Sequence, residues 1–206
     1  MENLRVQDIR LLKKKFREEA LSARDGLSSD LRSRKSERIM QRLLRLPVAG
    51  SLAAWFVYVS FRSEVETAPL IRHLLAEGRR VSVPCVDRAS KAMTASLLLD
   101  PGRDLAPGSM GINEPVSGCY RPVPAGRIDI VIVPGAAFSG NGGRIGYGGG
   151  YYDRFLRSCC AVTIGLAFDL QVFDTLPQDP ARDVPLDIIV TESRTMDCAA
   201  LRITPA

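Results

Sequence analysis

Ile128-Asp129-Ile130-Val131-Ile132-Val133-Pro134-Gly135 runs, a few residues later, into Gly140-Asn141-Gly142-Gly143-Arg144-Ile145-Gly146-Tyr147-Gly148-Gly149-Gly150-Tyr151-Tyr152-Asp153-Arg154. This stretch decides the fold. The apolar, β-branched run at 128–133 reads as a strand buried on both faces. Seven of the chain's 17 glycines fall in residues 140–150, and a short helix is predicted near 150–158. Strand, glycine loop and helix in that order put the loop at the carboxyl end of a parallel strand, where open α/β sheets bind ligands. Backbone N–H groups with no Cβ in the way can converge on an anion. The helix N-terminus adds positive potential, and Arg144 offers a bidentate fork. The loop is not a P-loop, because GxxxxGK[ST] is absent. It also lacks GxGxxG, because Tyr151 stands where the third glycine belongs. A flexible surface loop is the ordinary alternative, but such a loop carries Ser, Asn and Lys rather than two large aromatics beside an acid.

Outward from this stretch the chain alternates strands and helices. Residues 52–59, rich in apolar and aromatic side chains, predict another buried strand with Trp55 and Phe56 in the core. Thr67 opens a helix, Pro69 fits its first turn and Gly78 closes it. Strands are expected at 80–84, 93–99, 161–166 and 187–191, and the Pro- and Gly-rich stretch 100–126 reads as a long surface loop. Upstream, 5–24 reads as an amphipathic helix with Ile9, Leu12, Phe16 and Ala20 on one face and Lys13 and Arg17 as neighbours. Ser28 or Ser29 caps a second helix that ends before Pro47. The expectation is α/β: a single three-layer α/β/α domain spanning 1–206, with a mainly parallel sheet and N-terminal helices carrying a basic face.

The composition agrees with one globular domain: 206 residues, 46% hydrophobic and 25% charged. Five cysteines without a CxxC pair argue against a disulfide framework, and a lone His73 excludes a multi-histidine metal site. No apolar run approaches the roughly 18 residues needed to cross a bilayer, and the first residues carry no signal-peptide core. These features predict a soluble, cytoplasmic protein with no membrane partner. Residues 1–45 hold 13 Lys/Arg against 7 Asp/Glu, whereas 46–206 hold 15 against 16. The basic excess therefore lies in the N-terminal segment, which suits an anionic ligand or a solvated helix face. No aromatic-interleaved basic motif points to nucleic acid.

Residues 144–154 resemble the signature R-[LI]-G-x-G-x-G-[YF]-Y-D of 5-formyltetrahydrofolate cyclo-ligases, also called 5,10-methenyltetrahydrofolate synthetases. Lys13-x-x-x-Arg17, Glu64-Val65-Glu66-Thr67, Ile112-Asn113-Glu114-Pro115, Pro134-Gly135-x-x-Phe138 and Asp183-Val184-Pro185-Leu186-Asp187 are similar to family segments in order and spacing. The resemblance implies an enzyme that uses ATP and Mg²⁺ to cyclise 5-formyltetrahydrofolate to 5,10-methenyltetrahydrofolate, and a monomer is the expected state. The route it implies runs through a phosphorylated N5-formyl group, with release of ADP and phosphate. A folate- or nucleotide-binding protein without turnover is the alternative.

By the same resemblance, ATP falls to Lys13, Arg17, Arg144, Ile145, Gly146, Tyr147, Gly148, Gly149, Gly150, Tyr151 and Tyr152. Arg144 and Tyr151 are the implied catalytic pair. Val59, Glu64 and Tyr151 are the implied folate contacts, and Asp153 and Asp183 the implied Mg²⁺ ligands. Two positions depart from the family pattern: Arg182 stands where many members have His, and Gly149 where some have Lys.

Overall fold

The structure, a computed structural model, describes residues 2–108 and 111–203. Residues 1 and 204–206 of the expected domain, and 109–110 of the expected loop, lie outside the described residues. Helices α1 (Glu2–Asp25), α2 (Ser29–Leu44) and α3 (Pro47–Ser51) come first, followed by β1 (Ala54–Val57) and α4 (Ala68–Ala76). Then come β2 (Arg80–Asp87), β3 (Ala92–Leu98), α5 (Pro101–Asp104), β4 (Leu105–Pro107), β5 (Asn113–Pro115) and β6 (Pro122–Val123). The strand that opens the glycine stretch is β7 (Ile130–Val133). After it lie β8 (Ala137–Ser139), β9 (Arg144–Ile145) and α6 (Tyr151–Leu156). The chain continues through β10 (Val162–Leu166), β11 (Val172–Phe173), β12 (Ile188–Val190), β13 (Thr195–Asp197) and α7 (Cys198–Ile203).

Eight strands form one sheet in the order β13-β12-β10-β7-β1-β2-β3-β6. Its centre, from β12 to β2, is parallel, and β13, β3 and β6 add antiparallel edges. The mainly parallel α/β sheet read from the sequence is therefore observed. Alternate side chains of the central strands feed two cores. Trp55, Val57, Ile130, Ile132 and Ile164 pack with Ile39 and Leu43 of α2 and with Leu70, Ile71 and Leu74 of α4. Phe56, Val131, Val133 and Ile189 face the other way, onto Phe155 and Leu156 of α6 and onto Phe138 and Leu186. Trp55 and Phe56 are wholly buried, as their sequence context predicts. Each large apolar side chain buried in this way contributes about 1.5–3 kcal/mol.

Three local expectations are corrected. The stretch 100–126 is not a plain loop: β4 and β5 form a hairpin, and β6 completes the sheet edge beside β3. Buried Asp104 anchors it, accepting N–H bonds from Leu99 at 2.9 Å and Asp100 at 3.2 Å, and pairing with Arg121 at 2.8 Å. The Pro and Gly content hid strands only two or three residues long. The glycine stretch likewise contains structure, since β8 pairs with β9 and β11 in a second, three-stranded sheet. In α1, Leu12 is exposed and Lys13 is turned inward. The inward face of α1 includes charged stems, so counting apolar residues rotates it by about one position.

Helix α1 is not one of the layers flanking the main sheet. Phe16 meets Phe173 edge-on at 5.1 Å, and Ala20 packs with Ala137, Ile145 and Leu176. The helix thus lies against the small sheet that follows β7, and this brings its cations to the glycine stretch. Helix α2 is capped by Ser28, whose Oγ accepts the Leu31 N–H at 3.3 Å. Thr67 opens α4 and donates its hydroxyl to Tyr58 O at 2.6 Å.

Candidate functional site

A cavity of about 1120 Å³ opens beyond the carboxyl ends of β1, β2 and β7. Its walls are α1, the 58–64 segment after β1, residues 84–93 and 112–114, the 144–154 stretch and residues 179–183. Every residue named from the sequence as a site candidate lines it, from Lys13 and Arg17 through Val59 and Glu64 to Asp153 and Asp183. Ten Arg or Lys side chains line the cavity against six Asp or Glu, a balance that favours polyanionic ligands.

At one end cations and the glycine backbone converge. Arg17 Nε donates to Gly146 O at 2.7 Å, which ties α1 to the loop. Arg144 is buried, with Nη2 2.9 Å from Asp153 Oδ2 and Nη1 donating to Pro134 O at 3.4 Å. Its Nε is buried and has no partner, leaving one donor over. Lys13 pairs with Asp183 Oδ2, which also accepts the Asp179 N–H at 2.7 Å. Gly148 has φ +101 and Gly150, at the N-cap of α6, has φ +65. Side chains resist that left-handed backbone, so glycine is what lets the loop fold back over the helix start. A Cβ at Gly149 would come within 2.7 Å of the Tyr151 ring. One edge of the ring therefore lies close against bare backbone, with the Arg154 guanidinium 5.2 Å from the ring centre. Arg154 donates to Gly149 O at 2.9 Å and Lys91 O at 2.7 Å, so a cation is anchored beside the position where a lysine is missing.

The Val184 N–H donates to Asp153 Oδ1 at 3.2 Å, so Asp153 touches the residue that follows Asp183. Among the described residues, no three His, Cys, Asp or Glu side chains are grouped to hold a metal ion. Two carboxylates beside these cations fit a hard cation that takes its other ligands from water and phosphate oxygens, as Mg²⁺ does. They do not make a cage for a metal held by protein alone. Arg182, in place of the family histidine, lies 3.5 Å from Asp179 and lines the cavity.

The other end centres on Glu64, only 7% exposed. Tyr147 Oη donates to Glu64 Oε1 at 2.7 Å, and the Phe61 N–H donates to Oε2 at 2.9 Å. Burial pushes the Glu64 carboxyl up from its ordinary value, while the Tyr147 and Phe61 bonds and the charge of Arg24 pull against that rise. Burial also raises Tyr58, whose hydroxyl donates to Val65 O at 2.9 Å. Tyr152 is raised for the same reason, and its buried hydroxyl has no partner. Tyr147, placed with the ATP residues by the resemblance, thus directs its hydroxyl to the Glu64 end. The glycine stretch reaches both ends of the cavity.

Sequence reasoning missed Arg24, which is 2% exposed and lines the cavity. Its Nε donates to Ser63 Oγ at 2.9 Å and its Nη1 to Gly135 O at 3.4 Å. A signal existed: Arg24 is seven residues after Arg17 and eleven after Lys13, hence on the same helix face. The Asp25-Gly26 break drew attention to the helix end instead.

Residues 10–192 match the model of the 5-formyltetrahydrofolate cyclo-ligase family. A 5-formyltetrahydrofolate cyclo-ligase of Escherichia coli strain K12 is 30% identical over 177 residues, covering 84% of this chain and 97% of that protein. One from Haemophilus influenzae is 29% identical over 182 residues, with 86% and 97% covered. The solution structure of an Aquifex aeolicus 5,10-methenyltetrahydrofolate synthetase superposes with a TM-score of 0.81 at 33% identity, covering 95% of both chains. A 5,10-methenyltetrahydrofolate synthetase from Mycoplasma pneumoniae shares the fold, with a TM-score of 0.70 at 24% identity over 87% of this chain and 98% of the other.

Proposed function

Because this chain belongs to the 5-formyltetrahydrofolate cyclo-ligase family, a family of ligase enzymes, we propose that its cavity closes the imidazoline ring of 5-formyltetrahydrofolate at the expense of ATP. The observation that supports the reading is one cavity lined together by Lys13, Arg17 and Arg144, by Asp153 and Asp183, and by the buried Glu64. Phosphoryl transfer needs positioning and charge neutralisation more than covalent help from the protein.

The N5-formyl group is an amide and a poor electrophile. Its oxygen attacks the γ-phosphorus of ATP, the bond to the β-phosphate oxygen breaks, and ADP leaves. N10 then attacks the formyl carbon and gives up its proton. The former formyl oxygen departs with phosphate, and 5,10-methenyltetrahydrofolate remains. Lys13, Arg17, Arg144 and the 145–150 backbone hold the phosphates. The partnerless Nε of Arg144 is a donor for the transferring group. Asp153 and Asp183 would hold Mg²⁺, which would supply neutralisation of phosphate charge. Tyr151, fixed between Gly149 and Arg154, lies beside the reacting carbon, and the Tyr152 hydroxyl is a further donor at the same wall. Glu64 accepts paired N–H bonds from the pterin, next to Val59.

On this reading residues 1–206 act as one domain and as a monomer. Nucleic acid is not a partner. Among the described residues no helix is long and apolar enough to cross a membrane, and the proposed setting is the cytoplasm. The test is direct: 5-formyltetrahydrofolate, ATP and Mg²⁺ are mixed with the protein and the methenyl absorbance is followed. Product that forms only with all three supports the reading, and folate binding without turnover overturns it.

A further inference from the structure

Among the described residues the buried carboxylate of Glu64 has no direct ion pair, yet it is the centre of a connected arrangement. Tyr147 Oη donates to Oε1 at 2.7 Å and the Phe61 N–H to Oε2 at 2.9 Å. The Arg24 guanidinium lies 5.9 Å from the centre of the Tyr147 ring, on which it places a positive charge. Arg24 is itself fixed: its Nε donates to Ser63 Oγ, the neighbour of Glu64, and its Nη1 to Gly135 O. Ser63 in turn donates to Asp25. Three segments far apart in sequence, the end of α1, the 61–64 turn and the glycine stretch, are thus locked around one carboxylate. A carboxylate with 7% exposure stays ionised only if donors and charge offset its lost hydration.

We propose that Tyr147 and Arg24 are positioning residues for the folate end of the cavity, holding Glu64 in one rotamer and in its anionic form so that it accepts the pterin N–H donors. The proposal rests on the functional reading above, in that Glu64 is taken as the folate acceptor. Each Glu64 oxygen accepts one protein bond and keeps a lone pair for a ligand donor. Four groups on four segments face the carboxylate: Arg24 of α1, Tyr58 after β1, Tyr147 of the glycine stretch and Tyr152 of α6. Of these only Arg24 brings positive charge and only Tyr147 donates to Glu64, so these two, with the Phe61 N–H, oppose the effect of its burial.

The test is Tyr147→Phe, a change at a half-exposed residue that removes one hydroxyl and leaves the ring under Arg24. Equilibrium binding of 5-formyltetrahydrofolate without nucleotide is measured between pH 5 and 8, and binding of a non-hydrolysable ATP analogue alongside. Losing a donor to a charged acceptor weakens folate binding about tenfold or more at neutral pH and leaves the ATP analogue unchanged. The sign of the pH effect follows. Burial raises the Glu64 carboxyl and Tyr147 lowers it, so removing the hydroxyl raises it further. The anionic acceptor is then lost at a higher pH, and the acid limb of folate binding moves upward. The ligand's own titration is common to both proteins and cancels in the comparison. A purely structural tyrosine would weaken binding equally at every pH.

Unchanged folate affinity with an unmoved acid limb in Tyr147→Phe overturns the proposal. So does equal weakening of folate and the ATP analogue. Arg24→Lys is the second variant: it keeps the charge but loses the fork to Ser63 and Gly135, and is expected to weaken folate binding with a smaller shift of the acid limb. Glu64→Gln separates the two levels. If it binds folate normally, the reading of Glu64 as acceptor fails. If it binds poorly while Tyr147→Phe is normal, only the positioning proposal fails.

Discussion

Replacing Arg144 with alanine separates two jobs of one side chain. Arg144 pairs with Asp153 at 2.9 Å and is almost fully buried. Without it Asp153 keeps the Val184 N–H at 3.2 Å and loses its charged partner. Leaving a mostly buried acceptor short of a partner costs about 1–3 kcal/mol. At about 2–4 °C per kcal/mol for a chain of this size, the melting point falls by about 2–12 °C. The effect on chemistry is larger. A donor aimed at charge that develops in the transition state is worth about 2.7–4 kcal/mol, so turnover falls about 10²–10³-fold. Initial rates of methenyl formation, taken well below the melting point with both substrates saturating, keep the two effects apart. A variant that melts lower but turns over within about threefold of the parent refutes the reasoning, because Arg144 would then only hold the loop.

Asp153→Asn keeps the shape and removes the charge, so the Mg²⁺ concentration needed for half-maximal rate should rise while folate affinity holds; an unchanged Mg²⁺ dependence removes Asp153 from the metal site. Gly149→Ala adds a Cβ that would come within 2.7 Å of the Tyr151 ring, so kcat should drop with little change in folate binding, and a normal kcat would show that the ring's resting place is immaterial. Away from the site, burial alone would raise the Asp104 carboxyl, but the Leu99 and Asp100 N–H groups with Arg103 and Arg121 hold it well below the ordinary 3.8. A carboxylate depressed in the folded state stabilises fully above that value and loses its contribution as pH falls through the folded value. The gap in melting point between the parent and Asp104→Asn should therefore narrow on acidification below about pH 4, and a gap that stays constant would contradict the assignment.

The parallel centre of the sheet was legible because strands such as β7, buried on both faces, must be apolar throughout. The antiparallel edges were not. Val81 and Val83 of β2 read like any other strand, and nothing in their pattern states that β3 runs the other way. Strands as short as β6, with Pro122 inside it, carry no periodicity to detect. For the site, glycine density announced the stretch that lines the cavity, and helical spacing put Lys13 beside Arg17. Charged residues facing inward defeated the count of apolar positions, which turned Leu12 inward and overlooked Arg24. The direction of Tyr147 was illegible for another reason. It depends on a bond to Glu64, 83 residues away, which only the tertiary fold creates.

In the proposed function, turnover in this cavity proceeds through phosphoryl transfer to the formyl oxygen. The measurement that tests it is the fate of ¹⁸O placed in the formyl group of 5-formyltetrahydrofolate during turnover with ATP and Mg²⁺. The account predicts one labelled oxygen in each phosphate released, in step with methenyl product. Methenyl product forming while the phosphate stays unlabelled would contradict it.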